Sequence, residues 1–240
     1  MYPKLPLTGE VDVTFDWRAL PSNIPIITSF GIIRGSERRR VTRVRAPWIE
    51  ILDSLLAGGN FRLSESNTDG SRVVLAARGI WRFSDAEILK DVRRIVDEEN
   101  RFWRAKSMPY FLVTLAPFDG RTGDNDGSGF TNAYMLFLSH EETMDAQRMQ
   151  LMAHEMFHHW NSMSMGTWGT NDVAQWFSEG FTVYYAGVIP LRAGITSYSE
   201  YLHYLNVWLR RYELSPLRNM NESAWKASSR SFGRRRLITL

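Results

Sequence analysis

Gln150–Asn161 reads QLMAHEMFHHWN, and within it His154, Glu155 and His158 spell H-E-x-x-H. Four residues advance an α-helix by about 400°, so the two imidazoles lie on one face, about 6 Å apart. That spacing suits two nitrogens converging on one Zn²⁺ at about 2.0–2.1 Å each. Glu155 is turned about 100° from His154, beside the metal position and not on it, where it can take a proton from a bound water. By composition the five-residue pattern arises by chance roughly 0.006 times in such a chain. It also lies in a stretch whose apolar periodicity is helical on independent grounds.

A catalytic zinc site needs a third protein ligand and an open position. The next helical stretch, 173–190 (VAQWFSEGFTVYYAGVIP), holds one charged residue, Glu179, among Trp176, Phe177, Phe181, Val183, Tyr184 and Tyr185. A helix apolar nearly all round reads as buried, and a buried carboxylate must be paired or metal-bound. Glu155 is likewise the only acid in 150–161. Two helices with solitary glutamates, one also carrying the His pair, satisfy each other through a shared metal. Gly180, beside Glu179, reads as a point of close backbone approach between them. His159 points about 100° away from the ligand face. His140 reads as a helix-entry residue and His203 as a core or surface histidine.

Outward from this segment, Val11, Val13, Phe15 and Trp17 alternate as a half-buried strand, and Ile26–Ile33 reads as a second. Arg38–Arg45 alternates again, and Trp48–Leu56 reads as a short helix ended by Gly58-Gly59. Ser71–Trp81, Tyr110–Leu115 and Thr131–Leu138 read as strands. Between the first two of these, Ser84 and Glu87 form a capping box that opens a long amphipathic helix. Residues 117–129 read as a Gly/Asp-rich loop. Its Asp124–Gly127 resembles part of a calcium loop, but no glutamate closes it, and a turn is the better reading. Helices follow at about 142–161, 172–189 and 197–213. Strands first and helices later predict an α+β fold.

Composition agrees with this and excludes several classes. The chain has 240 residues, 44% hydrophobic and 23% charged, as an ordinary globular protein has. Cysteine is absent, so a metal must be held by His, Asp or Glu. No run of about 18 uncharged apolar residues occurs, so no membrane span is expected, and the first ten residues do not read as a signal peptide. The net charge is 29 − 26 = +3. The arginines cluster at Arg38–Arg40 and Arg234–Arg236 and not along one face, which reads as solvated segments and not a nucleic-acid surface.

The runs H-E-M-F-H-H-W-N and W-F-S-E-G-F-T-V-Y-Y resemble gluzincin metallopeptidases, and within them the glycyl aminopeptidase family. Trp160-Asn161, Glu179–Thr182, the Tyr184-Tyr185 pair, Leu191–Ile195 and Tyr201 carry the resemblance, which is specific over about 130–205. It implies a thermolysin-like catalytic domain: a mixed or antiparallel sheet with a long helix, then a helical part carrying the zinc site. Residues 1–35 would be the end of an N-terminal β domain and 36–240 the catalytic domain, lacking its C-terminal helices. The implied roles are zinc ligation by His154, His158 and Glu179, one Zn²⁺ per chain, and Glu155 as the base.

The family also sets a glycine-rich strand beside the metal, to pair with substrate and grip its amino terminus. Here that stretch is Gly127–Asn132, giving Gly129, Phe130, Thr131 and Asn132 as substrate-binding residues. It ends in Thr131-Asn132 where the family has an acid. The implied activity is hydrolysis of short peptides as an aminopeptidase. An endopeptidase or other zinc hydrolase on the same scaffold, and a non-catalytic metal-binding module, stay open. The family's oxyanion tyrosine falls beyond Leu240, with Tyr184, Tyr185 and Tyr204 as substitutes. The expected partner is a peptide, with neither nucleic acid nor membrane. Oligomeric state is open, and location is cytoplasmic as given, or periplasmic or secreted if a signal precedes this chain.

Overall fold

The computed structural model describes residues 9–34, 40–68, 71–104, 109–118, 125–164 and 175–215. The Arg234–Arg236 cluster, most of Arg38–Arg40 and Asp124 of the calcium-like stretch lie outside these residues. The chain divides into two compact units, 1–90 with 106–143, and 91–105 with 144–240.

The first unit is built on sheets. Strand β1 (Glu10–Asp16) pairs antiparallel with β4 (Val41–Pro47), and its alternating exposure matches the alternating sequence. Strands β2 (Ile26–Thr28), β3 (Gly31–Ile33) and β5 (Leu56–Gly58) form a three-stranded sheet in the order β3-β2-β5. The five-stranded sheet runs β6-β7-β8-β10-β9, from β6 (Arg62–Thr68), β7 (Ser71–Ala77), β8 (Tyr110–Phe118), β9 (Asn125–Phe130) and β10 (Ala133–Ser139). Its centre, β7-β8-β10, is parallel, and β6 and β9 flank it antiparallel. Parallel strands are covered on both faces, and β7 accordingly reads VVLAA without alternation, all five residues buried. The core here gathers Ile27, Leu55, Val74, Ala76, Leu112 and Ala133.

Three readings of this unit are corrected. Ile26–Ile33 is two short strands, not one. Thr28 Oγ1 accepts from Phe30 N–H and donates to the Gly31 carbonyl, and Gly31 takes φ +137° to close the turn. Helix α1 covers only Trp48–Leu52. Ser29 then bonds Leu55 by both its amide and its hydroxyl, drawing the following residues into strand β5. Strand β9 occupies much of the segment read as a loop, because its pairing with β10 supplies what its glycines lack in propensity.

Helix α2 (Asp85–Phe102) opens at the predicted capping box, with Glu87 N–H donating to Ser84 Oγ and Ser84 N–H to the Glu87 carboxylate. Its later turns belong to the second unit.

That unit is helical. Helix α3 (Ala146–His158) starts four residues later than the periodicity suggests, at an Asp145 cap that accepts from Arg148 N–H. A π-helical turn, His159–Ser164, continues it. Helix α4 (Gln175–Arg192) and helix α5 (Tyr198–Glu213) follow, the latter opened by a Ser197–Glu200 capping box.

The aromatic side chains hold α2, α3 and α4 together. Phe157 stacks on Tyr185 at 5.0 Å between ring centroids, with Phe102 at 4.8 Å from Tyr185 and Trp103 at 5.3 Å from Phe157. Such contacts contribute about 0.5–1.5 kcal/mol each beyond their burial. Buried Glu98 is bridged to Arg192 and to Arg101, tying α2 to the end of α4.

The closest backbone approach by a glycine in this unit is at Gly187, where α4 meets α5. A Cβ there would lie 2.7 Å from the Tyr204 ring. Alanine for glycine in an open helix stabilises by about 1 kcal/mol, whereas overpacking costs about 1–3. Gly187→Ala is therefore expected to lower stability by about 1 kcal/mol or more in urea unfolding. A gain in stability would show that the ring can move aside.

Candidate metal centre

Helix periodicity places His154 and His158 on one face of α3, and α4 brings Glu179 to them. His154 Nε2 lies 3.1 Å from His158 Nε2. Glu179 Oε2 is 3.4 Å from His154 Nε2, and its Oε1 is 3.5 Å from His158 Nε2. These three residues form the single His/Cys/Asp/Glu group among the described residues that could hold a metal ion.

The distances test the fit. Ligand atoms about 2.0–2.1 Å from a tetrahedral ion sit about 3.3–3.4 Å from one another. The imidazole nitrogens are 3.1 Å apart and each lies 3.4–3.5 Å from its own Glu179 oxygen, close to that spacing, and imidazole and carboxylate are the donor types zinc takes when thiolates are absent. The residues fit the ion.

The electrostatics run the same way. Burial works against ionisation of Glu179, but hydrogen bonds from His154 and His158 outweigh it and hold the carboxyl well below the usual carboxylate range. Burial also works against the charged form of His158, and Glu179, aided by the charge of Glu155, overturns that and raises its pKa. Burial pushes the His159 pKa down to about 4.

One expectation about α4 is corrected. It is not buried all round, since Phe181 and Tyr184 are 42% and 49% exposed and the Glu179 side chain is 40% exposed. The apolar composition that suggested full burial serves two faces, one on the core and one open. Glu155 sits half-buried on α3, one residue past His154. Gly129 and Phe130 close the edge strand β9 in the first unit. Thr131 is buried, with its amide on the Asp53 carbonyl and its hydroxyl on the Glu50 carbonyl, and Asn132 turns the chain at φ +49°. Tyr204 donates to the Val183 carbonyl at 2.6 Å, and Tyr185 belongs to the aromatic cluster. His140 follows β10 and stacks on Trp81, ahead of any helix, and His203 is exposed on α5.

Two residues of this unit have contacts that the sequence did not assign. Glu99 on α2 is 1% exposed, and burial, opposed by the Trp160 indole, raises its pKa well above the ordinary value. Asn161 is 2% exposed, and its amide lies against α4. No spacing rule flags either one, because both are defined by contacts between helices.

Residues 147–235 match the profile of the family described as M61 glycyl aminopeptidase. This segment is thus similar to a metallopeptidase family, in line with the gluzincin resemblance. No curated protein matches the chain. Among solved structures, an aminopeptidase N family protein from Idiomarina loihiensis aligns with TM-score 0.63 and 20% identity, over 79% of this chain and 35% of that one. An M1 zinc metallopeptidase from Deinococcus radiodurans aligns with TM-score 0.52 and 15% identity, over 86% of this chain and 45% of that one. A mutant of the latter bound to a Tyr-Ser-Ala substrate aligns with TM-score 0.52 and 16% identity, over 86% and 45%. The chain thus spans between a third and a half of the structures it resembles, and at these identities the likeness is one of fold. That fold is mixed α+β, as expected from the order of strands and helices.

In metal-free protein the pairing of Glu179 with His158 has a pH window. The lowered carboxyl contributes stability above its unfolded value near 4.5, lost as pH falls through the folded value. The raised imidazole contributes below its unfolded value near 6.5, lost as pH rises through the folded value. The Tm difference between parent and Glu179→Gln, measured in chelator, is expected to be largest between about pH 4.5 and 6.5 and to shrink toward pH 9. A difference constant over that range would contradict the pairing.

Proposed function

We propose that this chain carries the catalytic centre of a zinc peptidase, an aminopeptidase acting on short peptides. His154, His158 and Glu179 would hold one Zn²⁺ per chain. The observation that carries the reading is the convergence of their side chains, with the imidazole nitrogens 3.1 Å apart and one Glu179 oxygen 3.4 or 3.5 Å from each. When bound, the ion supplies Lewis acidity, lowering the pKa of a water from 15.7 toward about 7 and polarising a carbonyl oxygen.

The chain's own residues do the remaining work. Glu155 takes the proton from the attacking water and passes it to the leaving amide nitrogen, so each turnover returns the carboxylate to its starting state. Glu179 stays ionised because two imidazoles face it, and its partly exposed side chain leaves the cluster open on one side. Within β9, Gly129 and Phe130 would pair by backbone with an extended substrate. Thr131 and Asn132 would fix the end of that strand, given that the Thr131 amide and hydroxyl are already engaged.

An endopeptidase reading draws on one observation: the strand ends in Thr131-Asn132, with no acid there to grip a free amino terminus. Matched peptides with free and acetylated amino termini separate the two readings. Cleavage of the free set alone supports the aminopeptidase, and equal cleavage of both sets overturns it.

Glu155→Gln is expected to keep zinc and lose about 10²–10⁴-fold in kcat. His158→Ala and Glu179→Ala are expected to lower bound zinc by elemental analysis. Parent-level turnover in the first variant would remove the assigned base. Stoichiometric zinc in both others would remove the ligand assignment.

A further inference from the structure

Helix α3 provides its two imidazoles by periodicity alone, but Glu179 belongs to another helix, and something must fix α4 at the right height along α3. Asn161, three residues after His158, donates from Nδ2 to the Ser178 carbonyl at 2.8 Å and to Thr182 Oγ1 at 3.1 Å. Thr182 Oγ1 in turn donates to the same Ser178 carbonyl. Ser178 immediately precedes Glu179, and Thr182 lies three residues beyond it. Asn161 is 2% exposed and Thr182 fully buried, so these bonds are shielded from water. The amide orientation follows from chemistry, because only its nitrogen can donate to a carbonyl.

The arrangement closes a ring. It runs from His158 along three residues to Asn161, across to the Ser178 carbonyl, through one peptide unit to Glu179, and back to His158 Nε2 at 3.5 Å. The Glu179 side chain has three rotatable bonds and is partly exposed, so it does not hold its own position. The π-helical turn that contains Asn161 has an unfavourable geometry, and such turns collect at functional sites.

We infer that Asn161 is a positioning residue for the metal centre, clamping the backbone at Ser178 so that the Glu179 carboxylate meets the two imidazoles at ligand spacing. The inference rests on the zinc reading proposed above. Hydrogen bonds that orient ligands from behind typically change metal affinity by about 10–100-fold when removed.

The test is zinc affinity, measured by chelator competition on the full chain well below its Tm. Asn161→Ala is expected to weaken zinc binding by about 10–100-fold. Thr182→Val, which keeps the Asn161–Ser178 bond and the side-chain volume, should weaken it by only a few-fold. Tyr204→Phe is the structural control. It removes another hydrogen bond to the α4 backbone, that to Val183, and should lower Tm without changing zinc affinity.

Parent-like affinity in Asn161→Ala overturns the inference. If that variant does not fold, parent-like affinity in Asn161→Leu, which keeps the side-chain volume but cannot donate to the Ser178 carbonyl, does so. An equal loss in Tyr204→Phe overturns it too, since the effect would then be general loosening of α4. The zinc reading fails separately, if the parent binds no zinc or His154→Ala binds it as the parent does.

Discussion

Two imidazole nitrogens 3.1 Å apart, each 3.4–3.5 Å from its own oxygen of one carboxylate, are gathered in the second unit. Bringing these polar groups together takes them partly out of water, so the packing of α3 against α4 must hold them where a cation can meet all three side chains. Helical pitch supplies the histidine pair without help from the rest of the fold. The glutamate is different, because its position depends on how α4 lies along α3. The Phe157–Tyr185 stack and the Asn161 clamp fix that relation from two directions, one by apolar contact and one by hydrogen bonds.

The same packing leaves the cluster partly open. Helix α4 turns Val183, Ala186 and Ile189 inward and Phe181 and Tyr184 outward, with Glu179 between these extremes at 40% exposure. A fully enclosed carboxylate would serve a structural ion, whose coordination is closed. A reacting water and a peptide carbonyl need access, and catalytic zinc sites keep a position free for them.

The parts legible in the sequence are those where chemistry and period coincide. H-E-x-x-H specifies its geometry through the helical repeat, and Glu179 stands out as the one acid in an apolar helix. Ser84–Glu87 announces the start of α2 by local hydrogen bonding. The readings that failed depend on partners distant in sequence. β6, with the polar run RLSESNT, shows no apolar pattern because it is an edge strand, and β9 hides among glycines for the same reason. Ile26–Ile33 reads as one strand because its turn at Ser29-Phe30 lacks the Pro, Asn or Asp that would mark it within an apolar run; a threonine hydroxyl and a glycine at positive φ make the bend. Asn161 belongs to the run that carries the resemblance, but its contacts show only once α4 is beside it.

Acids in this unit meet three fates, and the contrast explains why one of them suits a cation. Glu98 and Glu99 are neighbours on α2, both almost wholly buried. Glu98 faces Arg101 and Arg192, so its carboxylate has its counter-charges within the protein. Glu99 has only an indole N–H to set against burial, which pushes its carboxyl toward the neutral form. Glu179 faces two imidazoles, which overcome the burial term and keep it ionised, yet imidazoles can give up their protons where guanidinium groups cannot. When a metal ion replaces those protons, the charge that had stabilised Glu179 is exchanged for a larger one at the same place. A carboxylate paired with arginine could not make that exchange, and a neutral one would first have to ionise in an apolar setting. Partnership with histidine is what makes Glu179, of these three acids, the one poised to bind metal.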